Sequence, residues 1–210
     1  MASPESPVGT SDPLKPRRPI DFDTFYQGTP PWDIGRPQPA FLDLADAGVL
    51  RGRVLDVGCG TGEHALMAAR LGLDATGMDT AAAAIARARR KAADRSLTVR
   101  FLVGDALELE QLGEQFDTVL DCGLFHVFTD DDRLRFTASL RSTIPPGGRY
   151  FMLGFSDRQP GDTGPRRLTR DEITASFDDG WQIDSIESAE IEINLGPTSI
   201  PAWLTAITRT

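Results

Sequence analysis

Short apolar runs alternate with amphipathic stretches along most of the chain. RVLDVG from Arg53 reads as a buried strand, and GTGEHALMAARLG reads as a helix closing at Gly72. DATGMD is a second strand, followed by the Ala-rich helix TAAAAIARARRKAADRS, whose basic residues gather toward its C-terminal end as the helix dipole prefers. LTVRFLVGD is a third strand, with a short helix expected around Leu107–Gln111. FDTVLDCGLFHVF is a strongly apolar strand running into a loop, and Asp130–Asp132 open the helix DDDRLRFTASLRST. Pro145, Pro146, Gly147 and Gly148 turn the chain into the strand RYFMLGFS. Thr169 and Glu172 have capping-box spacing at the start of LTRDEITASF. WQIDSIESAEIEIN alternates like an antiparallel strand, and SIPAWLTAITRT reads as a final one. Regular alternation of strand and helix predicts an α/β domain whose parallel sheet carries helices on both faces.

The segment before Arg53 breaks this rhythm. Residues 1–19 are rich in Pro and Ser and read as a disordered leader with no apolar core of a signal peptide. Residues 20–48 read as an N-terminal cap: an aromatic loop broken by Pro30, Pro31, Pro37 and Pro39, then a short helix ending at Gly48. Residues 20–210 then form one domain.

Length and charge narrow the function. A chain of 210 residues fits one domain better than two. The formal charge of −9 argues against a partner held by its phosphates and against an anionic membrane surface. No run of apolar residues is long enough to span a bilayer. Cys59 and Cys122 make no CxxC pair, which favours a reducing, cytoplasmic setting. A small-molecule substrate is the expected partner, with the chain a monomer or homodimer.

The most informative stretch is Val54-Leu55-Asp56-Val57-Gly58-Cys59-Gly60-Thr61-Gly62-Glu63. Glycines at 58, 60 and 62 between a strand and a helix let a ligand approach the backbone. A dinucleotide fingerprint would need a small residue where Glu63 stands, and a phosphate-cradling loop would need a Lys that is absent. Asp56 precedes the first glycine, Asp79 ends the second strand 17 residues beyond Gly62, and Asp105 ends the third. Parallel strands end on one edge, so three carboxylates can ring one crevice, suiting a ligand with cationic groups and hydroxyls.

DVGCGTG and the strand-end acids resemble the class I S-adenosylmethionine-dependent methyltransferases, from about Arg53 to Ser156. The resemblance implies a Rossmann-like three-layer sandwich around a seven-stranded, mainly parallel sheet with one antiparallel strand, to which the pattern at Trp181–Asn194 corresponds. It implies that Gly58, Cys59, Gly60 and Gly62 wrap the methionine portion with Asp56 near its cationic end. Asp79 with Thr80 would take the ribose, and Asp105 with Ala106 the adenine edge. The segment DCGLFHVF would lie beside the sulfonium methyl, giving Asp121 and Cys122 to the cofactor and Phe125 to the acceptor pocket. S-adenosyl-L-homocysteine would be the product.

The segment FYQGTPPWDIGRPQP is similar to the leader of thiopurine and thiol S-methyltransferases. By that likeness Trp32 packs beside the cofactor while Phe25 and Tyr26 line the acceptor pocket; an aromatic staple for the leader is the competing reading. His126 follows the fourth strand on the ligand edge and is the candidate general base, or else a histidine packed in the loop. His64 reads as structural, and Asp130–Asp132 as a helix start rather than a metal site, so no metal is expected. The expected reaction is in-line methyl transfer to N, O or S of a small aromatic or heterocyclic acceptor. The alternatives are a thiol or thiopurine S-methyltransferase specifically, a non-catalytic S-adenosylmethionine-binding protein, and a dinucleotide oxidoreductase, which Glu63 disfavours.

Overall fold

The computed structural model describes residues 22–161, 164–196 and 199–210. The proposed leader, residues 1–19, lies outside them. Seven strands form one sheet: β1 (Arg53–Val57), β2 (Asp74–Asp79), β3 (Arg100–Val103), β4 (Thr118–Cys122), β5 (Arg149–Phe155), β6 (Trp181–Glu192) and β7 (Ser199–Arg209). Their order is β3-β2-β1-β4-β5-β7-β6. Pairing is parallel from β3 through to β5, and antiparallel on both sides of β7. The expected α/β architecture is therefore present, with one difference of detail. The strand that runs against the others is β7, inserted between β5 and β6. The alternating segment Trp181–Glu192 pairs antiparallel with it but runs in the direction of the parallel set.

Strand alternation sorts the core into two faces. Leu55, Val57, Val119, Tyr150, Met152, Trp203 and Ile207 pack on one side. Val54, Leu120, Phe151, Leu153, Ala202 and Ala206 pack on the other. The first face is covered by α5 (Asp130–Thr143) and α6 (Arg170–Ser176) through Phe136, Leu140, Ile173 and Phe177. The second is covered by α2 (Pro39–Asp46) and α3 (Glu63–Arg70) through Phe41, Met67 and Ala68. Farther along, α3 and α4 (Ala82–Asp94) close over Phe101 of β3. A four-residue helix, α1 (Phe22–Phe25), precedes them.

The strand order reverses between β1 and β4, which run parallel: β1, β2 and β3 step one way, and β4, β5 and the last pair step the other. Such a switch point opens a crevice at the carboxyl ends of the strands, where open α/β sheets bind ligands. The glycine turn after β1 stands there. Gly62, the residue before α3, has φ +84°, and a methyl group on it would lie 2.6 Å from the Phe101 ring. Gly62→Ala is therefore expected to lower unfolding stability by at least about 1 kcal/mol, from positive φ and overpacking together. Urea unfolding monitored by circular dichroism measures it. The capping box is also present: the Thr169 hydroxyl accepts from the Glu172 N–H at 3.0 Å and Glu172 accepts from the Thr169 N–H at 2.9 Å.

Candidate active site

The site is built on the turn after β1. Gly58, Gly60 and Gly62 all have positive φ, which lets residues 58–62 fold back tightly between strand and helix. The Gly60 N–H donates to Asp79 at 2.8 Å, and the other Asp79 oxygen accepts from the Ala81 N–H at 2.8 Å. One carboxylate thus fastens the β1 turn to the end of β2 and steadies the start of α4. Its pKa is raised, chiefly by burial and despite those two bonds. Thr80 beside it is exposed. Cys59 turns its side chain into the packing beneath the turn, its sulfur 3.0 Å from where a methyl group on Gly77 would stand, so only its backbone faces the edge. Asp105 caps the short 3-10 helix Ala106–Leu112 by accepting from the Leu107 N–H at 2.9 Å and stays exposed, while Ala106 is buried.

The N-terminal segment crosses this edge. A methyl group on Gly60 would lie 2.7 Å from the Tyr26 hydroxyl, so the buried Tyr26 stands directly over the turn. That hydroxyl accepts from Trp32 Nε1 at 3.0 Å. Phe25 and Trp32 pack with ring centroids 5.2 Å apart yet remain 45% and 40% exposed. Asp33 accepts from the Thr61 hydroxyl at 2.9 Å, and Lys91 donates to Thr61 and Glu63. Burial alone would raise the Glu63 carboxyl, but Arg95 and Lys91 hold it below the usual range.

Asp56 points to the α2–α3 face and is fully buried. Its Oδ2 accepts from the Ala65 N–H at 3.0 Å, while Oδ1 has no hydrogen-bond partner. Desolvation pushes its pKa up to about 8, with Asp79 and Asp121 adding to the rise. The edge therefore carries Asp79 at the end of β2 and the exposed Asp105 after β3, whereas Asp56, expected beside a cationic group, lies fully buried beneath the turn and is held against ionisation. The two strand-end acids suit a ligand bearing hydroxyls and amino groups, and the glycine turn lets it approach the backbone.

Three residues expected on the ligand edge turn away from it. Asp121 points to the opposite face, fully buried, accepting from Leu124 N–H at 2.8 Å, Phe125 N–H and the Tyr150 hydroxyl at 2.7 Å. It shapes the β4 loop rather than offering an oxygen to a ligand, and burial lifts its pKa to about 6. Phe125 lies wholly in the core against Phe136, Phe177 and the Arg133 guanidinium, so it lines no acceptor pocket. His126 is also buried. Its Nδ1 accepts from the Phe155 N–H at 3.0 Å and its ring packs on the Phe155 ring, while burial, Arg133 and Arg167 drive its pKa down to about 3. With Nδ1 occupied, Nε2 carries the proton, and the imidazole has no lone pair left to act as a base. The packed-loop reading of His126 is the one that the geometry supports. Cys122 is packed among apolar neighbours, and burial raises its thiol pKa. Leu124 is the loop residue that approaches the turn, 3.1 Å from where a methyl group on Gly58 would stand. Among the described residues no cluster of three His, Cys, Asp or Glu side chains could hold a metal, and no helix is long and apolar enough to cross a membrane.

Sequence reasoning missed the fastening of the cap. Gln38 is buried, and its side-chain amide pairs with the main chain of Glu192: Nε2 donates at 2.9 Å and Oε1 accepts at 2.8 Å. Asn194 donates to the carbonyls of Pro30 and Asp33, both at 3.0 Å. Arg87 of α4 holds the carbonyls of Tyr26 and Gly28. A Gln between two prolines, Pro37 and Pro39, was the available signal.

Residues 54–148 match the family model described as "Methyltransferase domain". A 2-heptyl-1-hydroxyquinolin-4(1H)-one methyltransferase of Mycobacteroides abscessus is 34% identical over 184 residues, 82% of this chain and 81% of that protein. The chain belongs to the class I S-adenosylmethionine-dependent methyltransferases. A probable thiol methyltransferase 2 of Arabidopsis thaliana is 30% identical over 135 residues, 63% of this chain and 59% of that protein. A solved structure from work on "Conversion of a Disulfide Bond into a Thioacetal Group during Echinomycin Biosynthesis" is 38% identical. It superposes with a TM-score of 0.82 over 90% of this chain and 91% of that one.

Two predictions follow for this methyltransferase. Asp79→Asn halves the acceptor capacity at the β2 end. It is expected to weaken S-adenosylhomocysteine binding by about tenfold in calorimetry, the loss of one hydrogen bond to a charged group. The second concerns pH. The folded chain keeps a proton on Asp56 up to about pH 8, whereas the unfolded chain releases it near the ordinary aspartate value of 3.8. Folded protein therefore binds more protons between those values, and this group makes stability fall as pH rises through them. Urea unfolding of Asp56→Asn is expected to lack that fall between pH 6 and 8, a slope of at most about 1.4 kcal/mol per pH unit. His64 and His126, held to about 4 and 3, act oppositely: their contribution is lost as pH falls below about 6.5.

Proposed function

We propose that this methyltransferase transfers the methyl group of S-adenosylmethionine to a heteroatom of a small, flat aromatic or heterocyclic acceptor that is already ionised near neutral pH. When bound, S-adenosylmethionine supplies an electrophilic methyl on a cationic sulfur. The residues of this chain supply placement. Asp79 and the turn at 58–62 would hold the cofactor, with Asp105 at the end of β3. Phe25 and Trp32 offer exposed ring faces at the same edge, suited to stacking a planar acceptor. Alignment of two reactants accounts for about 7–11 kcal/mol of a barrier, more than the two to four decades of rate that a general base adds.

The observation that carries the acceptor class is the state of His126. Its Nδ1 is taken by the Phe155 N–H and its ring is buried, so the candidate base at the β4 loop has no free lone pair. An acceptor must then arrive already deprotonated, as an acidic ring N-hydroxyl or an aryl thiol does near neutral pH and an ordinary phenol does not. The relative named for a 1-hydroxyquinolin-4-one supports the first kind. The Arabidopsis thiol methyltransferase supports the second, and the structure from work on a disulfide-to-thioacetal conversion supports sulfur chemistry in general.

The test is methyl transfer from labelled S-adenosylmethionine to an N-hydroxyquinolone, an aryl thiol and a phenol of matched size. Turnover is expected with the first two and at least about a hundredfold less with the phenol, the lower end of what a base supplies. The rate with each active acceptor should rise with pH through the acceptor's own pKa, and His126→Asn should keep that profile. Equal turnover of the phenol, or a profile that follows His126 instead of the acceptor, overturns the acceptor class. The choice between oxygen and sulfur is read from which of the first two has the higher kcat/KM.

A further inference from the structure

His64 stands between two parts of the molecule that the chemistry needs together. It lies in the first turn of α3, buried, with its ring against Phe41 at a centroid distance of 4.6 Å. Its Nε2 accepts from the Gln38 main-chain N–H at 3.2 Å, which puts the ring proton on Nδ1. Nδ1 faces Oδ1 of Asp56 at 3.9 Å, the oxygen that is buried without a partner. The gap exceeds a hydrogen bond by about 1 Å. On one side, then, the imidazole is held by the segment that Gln38 fastens to Glu192. On the other it faces the acid two residues before Gly58, whose second oxygen already holds the start of α3 through Ala65.

We propose that His64 is a positioning residue that couples the seating of the N-terminal cap to the geometry of the cofactor turn. The buried Oδ1 is the reason to read the contact as a coupling rather than as filler. Even on an acid that keeps its proton, a buried carboxyl oxygen has lone pairs and no water to turn to, and His64 Nδ1–H is the donor facing it, so a shift of the ring toward β1 satisfies it. The ring cannot shift independently of the cap, because Gln38 holds its other nitrogen. Cap docking and turn geometry therefore share one side chain, and a ligand that favours one favours the other. This rests on the cofactor assignment alone and not on the acceptor class.

Calorimetric titration of the full chain with S-adenosylhomocysteine reads the coupling without any acceptor. His64→Phe keeps a ring against Phe41 and removes both polar contacts; His64→Gln keeps an acceptor for the Gln38 N–H but loses the ring against Phe41 and the rigid placement of a donor toward Asp56. Gln38→Ala releases the cap from Glu192. Each is expected to weaken binding by about tenfold, and Gln38→Ala combined with His64→Phe is expected to weaken it no further than the worse single variant. With an acceptor that the wild type turns over, KM for S-adenosylmethionine should rise in His64→Gln while kcat holds. Unchanged affinity in a cooperatively melting His64→Phe or His64→Gln overturns the proposal, as do losses that add in the double variant. If His64→Phe does not fold, the His64→Gln and Gln38→Ala pair carries the same cycle. Normal homocysteine-product coupling with no turnover of any acceptor would leave this inference standing and sink the acceptor reading instead.

Discussion

A single bond, from the Gly60 N–H to the Asp79 carboxylate, sets the shape on which the site depends. It ties the turn after β1 to the end of β2 at the place where the strand order reverses. Because the opposite oxygen of Asp79 accepts from Ala81, the same acid also fixes where α4 begins. The first turn of α4 in turn receives α1, through Asp23 and the Ala83 N–H, and Arg87 receives the carbonyls of Tyr26 and Gly28. Removing the carboxylate would loosen the glycine turn, the helix start and the seat of the aromatic segment together. Local architecture at all three draws on the same two oxygens.

Buried titratable groups are divided between the faces of the sheet with opposite consequences. Asp56 and His64 sit on the α2–α3 side with one oxygen unpaired, whereas Asp121 sits on the other side fully bonded to the β4 loop and Tyr150. The satisfied acid rigidifies a loop. The unsatisfied one keeps a local imbalance close to the cofactor turn, where polar dissatisfaction marks function more often than error.

Most of the fold could be read from the sequence because hydrophobic periodicity and turn residues agree at nearly every element. The DVGCGTG turn, the strand-end acids and the capping box at Thr169 were all legible at the level of residues. What was not legible depends on direction. The spacing of Asp121, Phe125 and His126 after β4 puts them beside the ligand edge, but strand alternation and the inward twist of the loop send all three side chains into the protein. A histidine in sequence does not reveal which nitrogen is already bonded. Likewise, alternation in Trp181–Glu192 identifies a strand but not that β7 would insert between it and β5, since pairing partners are a tertiary choice.

The amide pairing of Gln38 with Glu192 joins residues 154 apart in sequence. During synthesis the N-terminal segment emerges long before this anchor exists, and it can already rest on α4 and the glycine turn while the Gln38 side chain still lacks its partner. Only when β6 has been made, and β7 has locked it to β5, does the far end of the segment acquire its bonds to Glu192 and Asn194. Completion of the last strands is thus what closes the cover. A C-terminally clipped chain would carry a formed glycine turn under a cover held at α4 and loose at the carbonyls of Pro30 and Asp33 and at the Gln38 side chain.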